Sequence, residues 1–157
     1  MALLLFIQLF WFSHNIVFYH DQENAFRYVL LSDEVITTIY HACKEQCNSD
    51  PTTPANPKFK IDLERAGEHK IIAFEREFAK KHGLKFGDVV YIEGTDYDGY
   101  YQYQDRMNKR FAGQKKIDLL VDKSIKGGKW TNVKVYKVVG DERSIEKLKE
   151  KEFLQSL

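Results

Sequence analysis

KIDLLV, residues 116–121, carries the clearest structural signal in this chain. Its apolar run predicts a buried strand, and one acid, Asp118, interrupts it. Successive side chains of a strand point to opposite faces, so Asp118 points away from Ile117 and Leu119. Its carboxylate therefore faces a barrel interior or a groove, unless it lies in solvent or pairs with a neighbouring Lys or Arg.

Further short strands are predicted on both sides of this one. They cover residues 35–40, 70–74, 89–92, 99–105 and 130–139. Turn residues separate them, a short internal helix follows residue 74 and ends at Gly83, and a C-terminal helix follows residue 140. About six short strands joined by turns predict a mainly β fold, a small six-stranded β-barrel.

One domain with two appendages fits the length of 157 residues. Residues 1–20 are predicted to be a signal peptide or a membrane anchor, because an apolar run opens the chain and no charged side chain precedes Asp21. Residues 21–34 are assigned to a linker, residues 35–139 to the barrel domain and residues 140–157 to the C-terminal helix. We expect an exported, periplasmic or envelope protein that contacts the membrane only through its N-terminal segment.

Composition argues against nucleic acid as a partner. A formal net charge of +1 provides no broad basic field to bind phosphates. Aromatic residues make up 14% of the chain, and their rings either stack on sugars or fill strands and core. We predict a monomer.

Two cysteines, Cys43 and Cys47, lie four residues apart in a polar loop that contains all three prolines. They either form a local disulfide, which requires a tight turn, or remain free thiols. Only His41 lies nearby, so no metal site and no cofactor are predicted.

Two acids are candidates for a functional site. Partial burial of Asp118 would raise its pKa toward the value that a general acid needs near neutral pH. Asp105 ends the Tyr-rich strand in a similar way, so the two acids are expected to share one groove. Alternation along that strand predicts that Tyr101 and Tyr103 lie on the same face as Asp105.

Four motifs in a fixed order resemble the three-aspartate (3D) domain family. They are YIEG at 91–94, DRMNKR at 105–110, KID at 116–118 and WTNVKVY at 130–136. Residues 46–51, QCNSDP, resemble the entry loop of 3D proteins from Bacteroidetes-type bacteria. The likeness runs over residues 35–139, and the order and spacing of the motifs carry it.

This resemblance implies a double-psi β-barrel related to the catalytic domain of membrane-bound lytic transglycosylase A. It implies that Asp118 is the catalytic acid and that Asp105 supports the site or binds the sugar. Glu77 falls where the family has its first aspartate, and Arg106 stands where a small Thr is usual. By the same resemblance, Glu77, Arg106, Tyr101 and Tyr103 are the candidate substrate-binding residues, with simple packing as the alternative for each Tyr.

Two main functions stay open at this point. One is a lytic transglycosylase that cleaves the bond between N-acetylmuramic acid and N-acetylglucosamine in peptidoglycan, with Asp118 as its single acid and base. The other is a non-catalytic module that binds cell-wall glycan, favoured by Glu77 and Arg106 and by the expectation that the chain has no room for a second domain. A secreted accessory protein that opens the wall locally is a third possibility.

Overall fold

The computed structural model describes residues 19–21, 26–47 and 50–157. Seven strands lie in this part of the chain. They are β1 (Tyr19–Asp21), β2 (Phe26–Tyr40), β3 (Ile71–Phe74), β4 (Val89–Glu93), β5 (Gly99–Arg106), β6 (Lys116–Leu120) and β7 (Lys129–Val139). The two α-helices are α1 (Arg76–Lys81) and α2 (Glu142–Glu152), and 3-10 helices form at Leu63–His69 and Lys109–Phe111.

Six of these strands close into a ring. Their order is β2-β6-β3-β5-β4-β7, and β7 pairs back onto β2, while β1 adds to β2 outside the ring. The sheet is mixed, because β2 pairs parallel with β6 and β3 parallel with β5, whereas the other pairings are antiparallel. The predicted mainly β fold with six barrel strands is confirmed.

The pairing pattern of the ring has an internal two-fold equivalence. Exchanging β2, β3 and β4 with β5, β6 and β7 in order leaves every neighbour relation unchanged. The exchange also maps the parallel pair β2–β6 onto the parallel pair β5–β3. The chain therefore passes twice through the same three-strand path.

The first barrel strand is longer than its sequence pattern indicates. β2 begins at Phe26, and its pairing with β7 runs from Arg27 opposite Val139 to Thr38 opposite Lys129. Residues 26–34, assigned to a linker from their sequence, thus form the first half of a barrel strand. The leader predicted over residues 1–20 lies outside the described residues, apart from the start of β1.

Alternation along the strands separates two hydrophobic clusters. The interior cluster fills the ring, and its buried members are Val35, Ile72, Phe74, Phe78, Ala79, Val90, Ile92, Tyr101, Tyr103, Ile117, Leu119, Val133 and Val135. The outer cluster lies between the outer face of β2, β3 and β6 and the segment that joins β2 to β3. Its buried members are Tyr40, Ala42, Phe59, Ile61, Ala66, Ile71, Ala73, Met107 and Leu120.

Both predicted helices are present. The side chain of Glu75 caps α1 by accepting hydrogen bonds from the backbone N–H groups of Glu77 and Phe78. Gly83 follows α1 with a φ of +60°, the left-handed conformation expected there. Asp141 caps α2, which packs Leu148 into a third cluster against β4 and β7.

A buried histidine, His69, fixes the segment between β2 and β3 to the C-terminal part of the chain. The buried His69 accepts a hydrogen bond at Nε2 from the backbone N–H of Asp62, 2.8 Å away, so its proton lies on Nδ1. Nδ1 then donates to the carbonyl of Leu154, also at 2.8 Å. This histidine joins the segment to the chain that follows α2.

Among the described residues, no helix has the length and apolar character needed to cross a bilayer.

Candidate active site

Asp118 lies on the outer face of the barrel, in a row that crosses four strands. It pairs with Thr38 on β2 and with Ala73 on β3, and Ala73 pairs in turn with Asp105 on β5. Neighbouring strands are about 4.8 Å apart, so the two aspartates lie about 10 Å apart at the backbone. The order of the strands therefore produces the predicted proximity of Asp118 and Asp105, with Ala73 between them.

The Asp118 carboxylate is only partly hydrogen bonded. The Thr38 hydroxyl donates to its Oδ1, while Oδ2 has no hydrogen-bond partner among the described residues. Burial raises the pKa of Asp118 to about 6, and the positive charges of Lys116 and Arg110 oppose this shift only in part. A carboxyl with this pKa and one open oxygen can both donate and accept a proton near neutral pH.

Asp105 is held differently, because three donors surround it. Its Oδ2 accepts from the Tyr40 hydroxyl at 2.8 Å, and its Oδ1 accepts from the backbone N–H groups of Ala55 (2.9 Å) and Arg106 (2.8 Å). Burial raises its pKa, and these hydrogen bonds counteract the shift. Both oxygens are occupied, so the arrangement suits a support for the site better than a proton carrier.

A bulge in β5 changes the predicted facing of Asp105. The register shifts by one residue between Tyr103, which pairs with Ile72, and Asp105, which pairs with Ala73. Tyr103 stays in the interior cluster, whereas Asp105 bonds Tyr40 of the outer cluster. The prediction that Asp105 shares a face with Tyr101 and Tyr103 is wrong for this reason.

The two tyrosines are core residues. Tyr101 is 2% and Tyr103 3% exposed, and both pack inside the ring. The Tyr101 hydroxyl donates to the carbonyl of Tyr97, and the Tyr103 ring contacts Phe74 and Phe86. The packing alternative describes both residues, and neither ring has an open face for a sugar.

The side chains of the two remaining candidates make no hydrogen bond to Asp118 or Asp105 among the described residues. Glu77 is exposed on the first turn of α1, with its Oε2 near Gly113. Arg106 places its guanidinium 4.7 Å from the centre of the Phe86 ring. Its side chain therefore stacks on that ring, while its backbone N–H donates to Asp105.

Five residues near the site were not predicted to be functional from the sequence. Thr38 and Tyr40 contact the aspartates directly, and the charges of Arg110 and Lys116 act on Asp118. Both of these cations lie over the ring of Phe111. Alternation in VITTIY already places Thr38 and Tyr40 on one face, but only the pairing of β2 with β6 brings that face to Asp118.

Cys43 and Cys47 are both free and half-buried, in a tight turn closed by a 2.8 Å hydrogen bond from the Cys47 N–H to the Cys43 carbonyl. Within the described residues, no group of three or more His, Cys, Asp or Glu side chains is arranged to hold a metal ion. Burial raises the pKa of the Cys47 thiol.

Comparison with known proteins adds no family to these observations. Neither a scan against protein-family models nor a search of curated protein sequences returns a match to this chain. The functional argument therefore depends on the geometry of Asp118 and on the motifs quoted above.

Proposed function

We propose that this chain is a peptidoglycan-active protein of the three-aspartate type, exported to the cell envelope as a monomer, that cleaves glycan strands as a lytic transglycosylase. The observation that carries the proposal is the state of Asp118. It is a half-buried carboxyl with a pKa raised to about 6 and one oxygen without a partner among the described residues, and the motif around it resembles the one that carries the family's catalytic acid.

The proposal includes a double-psi topology for the barrel. Two observations support it: the two parallel pairs, β2–β6 and β3–β5, and the equivalence of the first three ring strands with the last three. A double-psi barrel has this kind of repeated, interlocked path.

A single acid suffices for the proposed reaction. Protonated Asp118 gives its proton to the oxygen between N-acetylmuramic acid and N-acetylglucosamine as that oxygen leaves C1. The resulting carboxylate then takes the proton of the muramyl 6-hydroxyl while O6 bonds to C1. The product is a 1,6-anhydro sugar, no water is consumed, and Asp118 ends protonated as it began.

The positions and hydrogen bonds of the other two candidate acids agree with this chemistry. Hydrolases of glycosides usually need two carboxylates, one as the acid and one as the nucleophile or base. Asp105 has both oxygens engaged and Glu77 is exposed on α1, so neither is placed to activate water beside Asp118. Use of the substrate's own hydroxyl removes that requirement.

The test is mass spectrometry of soluble products after incubation with purified peptidoglycan. We expect anhydro-muropeptides from the parent protein and none from Asp118→Asn. Asp33→Asn is the matched control, because it removes the same charge at an exposed position on β2. Equal product from the parent and Asp118→Asn would refute the role of Asp118.

A second candidate, a non-catalytic glycan-binding module, is favoured by one observation. Of Asp118 and Asp105, only Asp118 has a carboxylate oxygen without a hydrogen-bond partner among the described residues, and such an oxygen can accept from a glycan hydroxyl. Co-sedimentation with peptidoglycan, without anhydro product from the parent, would select this function over catalysis.

A further inference from the structure

The chain between β5 and β6 is strongly basic. Residues 106–116 contain five cations and no acid, although the whole chain carries a formal charge of only +1. The rest of the protein is therefore net acidic, and positive charge is concentrated beside Asp118. Such a local field attracts an anionic group to this rim of the barrel.

Two of the five cations converge on one aromatic ring. The Lys116 Nζ lies 4.0 Å and the Arg110 Cζ 4.8 Å from the centre of the Phe111 ring. Phe111 packs against the outer cluster, so the ring presents both cations from a fixed support. Both charges lower the pKa of Asp118, which shows that they act at its carboxylate.

Neither of these two cations has a carboxylate partner among the described residues. No ion pair within 4.0 Å joins Lys116 or Arg110 to an acid in the part of the chain that the structure describes. Lys115, by contrast, pairs with Glu34 at 2.8 Å, and Arg106 stacks on Phe86. Lys116 and Arg110 are therefore the cations of this stretch that lie near Asp118 and can pair with an anionic ligand.

We propose that Lys116, Arg110 and Phe111 form a subsite for a carboxylate carried by the muramyl sugar, the lactyl carboxylate of glycan strands that have lost their peptides. This inference rests on the proposed function. Lys116 and Asp118 are two residues apart on one face of β6, about 7 Å. That spacing lets one sugar offer its glycosidic oxygen to Asp118 and its lactyl group to the two cations, with Phe111 beneath them.

The subsite would make charge on the sugar a determinant of specificity. A free lactyl carboxylate is anionic, whereas the same group is neutral once it is amidated by a peptide or esterified. Ion pairs at an accessible site typically contribute up to about 1 kcal/mol each, or about fivefold in affinity. Two cations should therefore favour the free acid over its ester by up to about 25-fold at low salt.

The experiment is calorimetric titration of Asp118→Asn, which cannot cut the strand, with a peptide-free tetrasaccharide of alternating N-acetylglucosamine and N-acetylmuramic acid. The probes are the free acid, its methyl ester and the same tetrasaccharide carrying peptides. Lys116→Gln and Arg110→Gln in this background should each weaken binding of the free acid by about fivefold and leave the ester unchanged. Lys115→Gln is the matched control and should change neither.

Equal affinity for the free acid and its ester would overturn the subsite, and so would an equal loss of affinity in Lys115→Gln. Tighter binding of the peptide-bearing strand than of the free acid would overturn the assignment to the lactyl group. These results leave the proposed function standing if the parent still forms anhydro product. Absence of both glycan binding and product would refute the proposed function together with the subsite.

Discussion

Replacing Asp118 by Asn should make the folded protein more stable at neutral pH. The pKa of this carboxyl rises from its ordinary 3.8 to about 6 because of burial. A folded-state pKa above the unfolded value means that the folded protein holds the proton more tightly, so stability is lost as pH rises from about 4 to 6. Above pH 6 the full penalty is present, on the order of 3 kcal/mol for a shift of this size.

The amide removes this penalty but weakens one contact. The side chain introduced by Asp118→Asn stays neutral at all pH values, while the Thr38 hydroxyl donates to an amide oxygen in place of a carboxylate, at a cost of about 1 kcal/mol. The net gain at pH 7 is therefore about 1 to 2 kcal/mol. At pH 4 the aspartate is already protonated, and the variant should be no more stable than the parent.

Urea unfolding of both proteins at pH 4, 5, 6 and 7 measures the effect. The informative quantity is the difference between variant and parent, because the other titrating groups are common to both. Asp33→Asn controls for the change in net charge and should show no comparable pH dependence. A variant that is less stable than the parent at pH 7, or a gain that is the same at pH 4 and pH 7, would refute the burial of this carboxyl.

Three further substitutions test the surroundings of the site. Asp105→Ala should cost about 3 kcal/mol in urea unfolding, because three donors lose their acceptor; a cost below about 1 kcal/mol would contradict its supporting role. Thr37→Val should stabilise by about 1 kcal/mol, because the buried Thr37 hydroxyl has no hydrogen-bond partner among the described residues, and a destabilised variant would show that it has one. His69→Phe should cost about 2 kcal/mol and speed hydrogen exchange at the Leu154 amide, which bonds the Glu68 carbonyl; unchanged exchange would mean that His69 does not hold the C-terminal segment.

The strands with regular alternation were predictable from the sequence. In β6, apolar residues flank a single acid, and the structure places Ile117 and Leu119 inside and Asp118 outside. α1 and α2 were also predictable, because capping residues and Gly83 mark their ends. In each of these elements, local chemistry and tertiary packing favour the same conformation.

Irregular pairing explains what the sequence did not predict. β2 contains register shifts between Leu30 and Ser32 and between Ser32 and Val35, so its first half has no regular alternation to detect. The bulge before Asp105 lies within an alternating run and leaves no mark in the sequence. Bulges of this kind are fixed by the partner strands, which a single segment cannot reveal.

The same limit applies to the carboxylates. Glu75 and Glu77 lie two residues apart in the segment AFERE, and the family resemblance implies a site role for Glu77. In the structure Glu75 is 2% exposed and caps α1, whereas Glu77 faces solvent. Which of these two acids is buried depends on the residue at which the helix begins. Sequence patterns do not locate that residue finely enough to choose between them.

The segment between β2 and β3 links the stability of the fold to the chemistry of Asp118. It covers the outer face of β2, β3 and β6 with Phe59 and Ile61, and the Ala55 N–H anchors it to Asp105. An uncovered outer face would leave Asp118 hydrated, and its pKa would return toward the ordinary value. The proton needed near neutral pH therefore depends on a segment that makes no direct hydrogen bond to Asp118 among the described residues. Because the reaction starts from protonated Asp118, substitutions that loosen this segment, Asp105→Ala among them, should shift the alkaline limb of the activity profile to lower pH before they abolish folding.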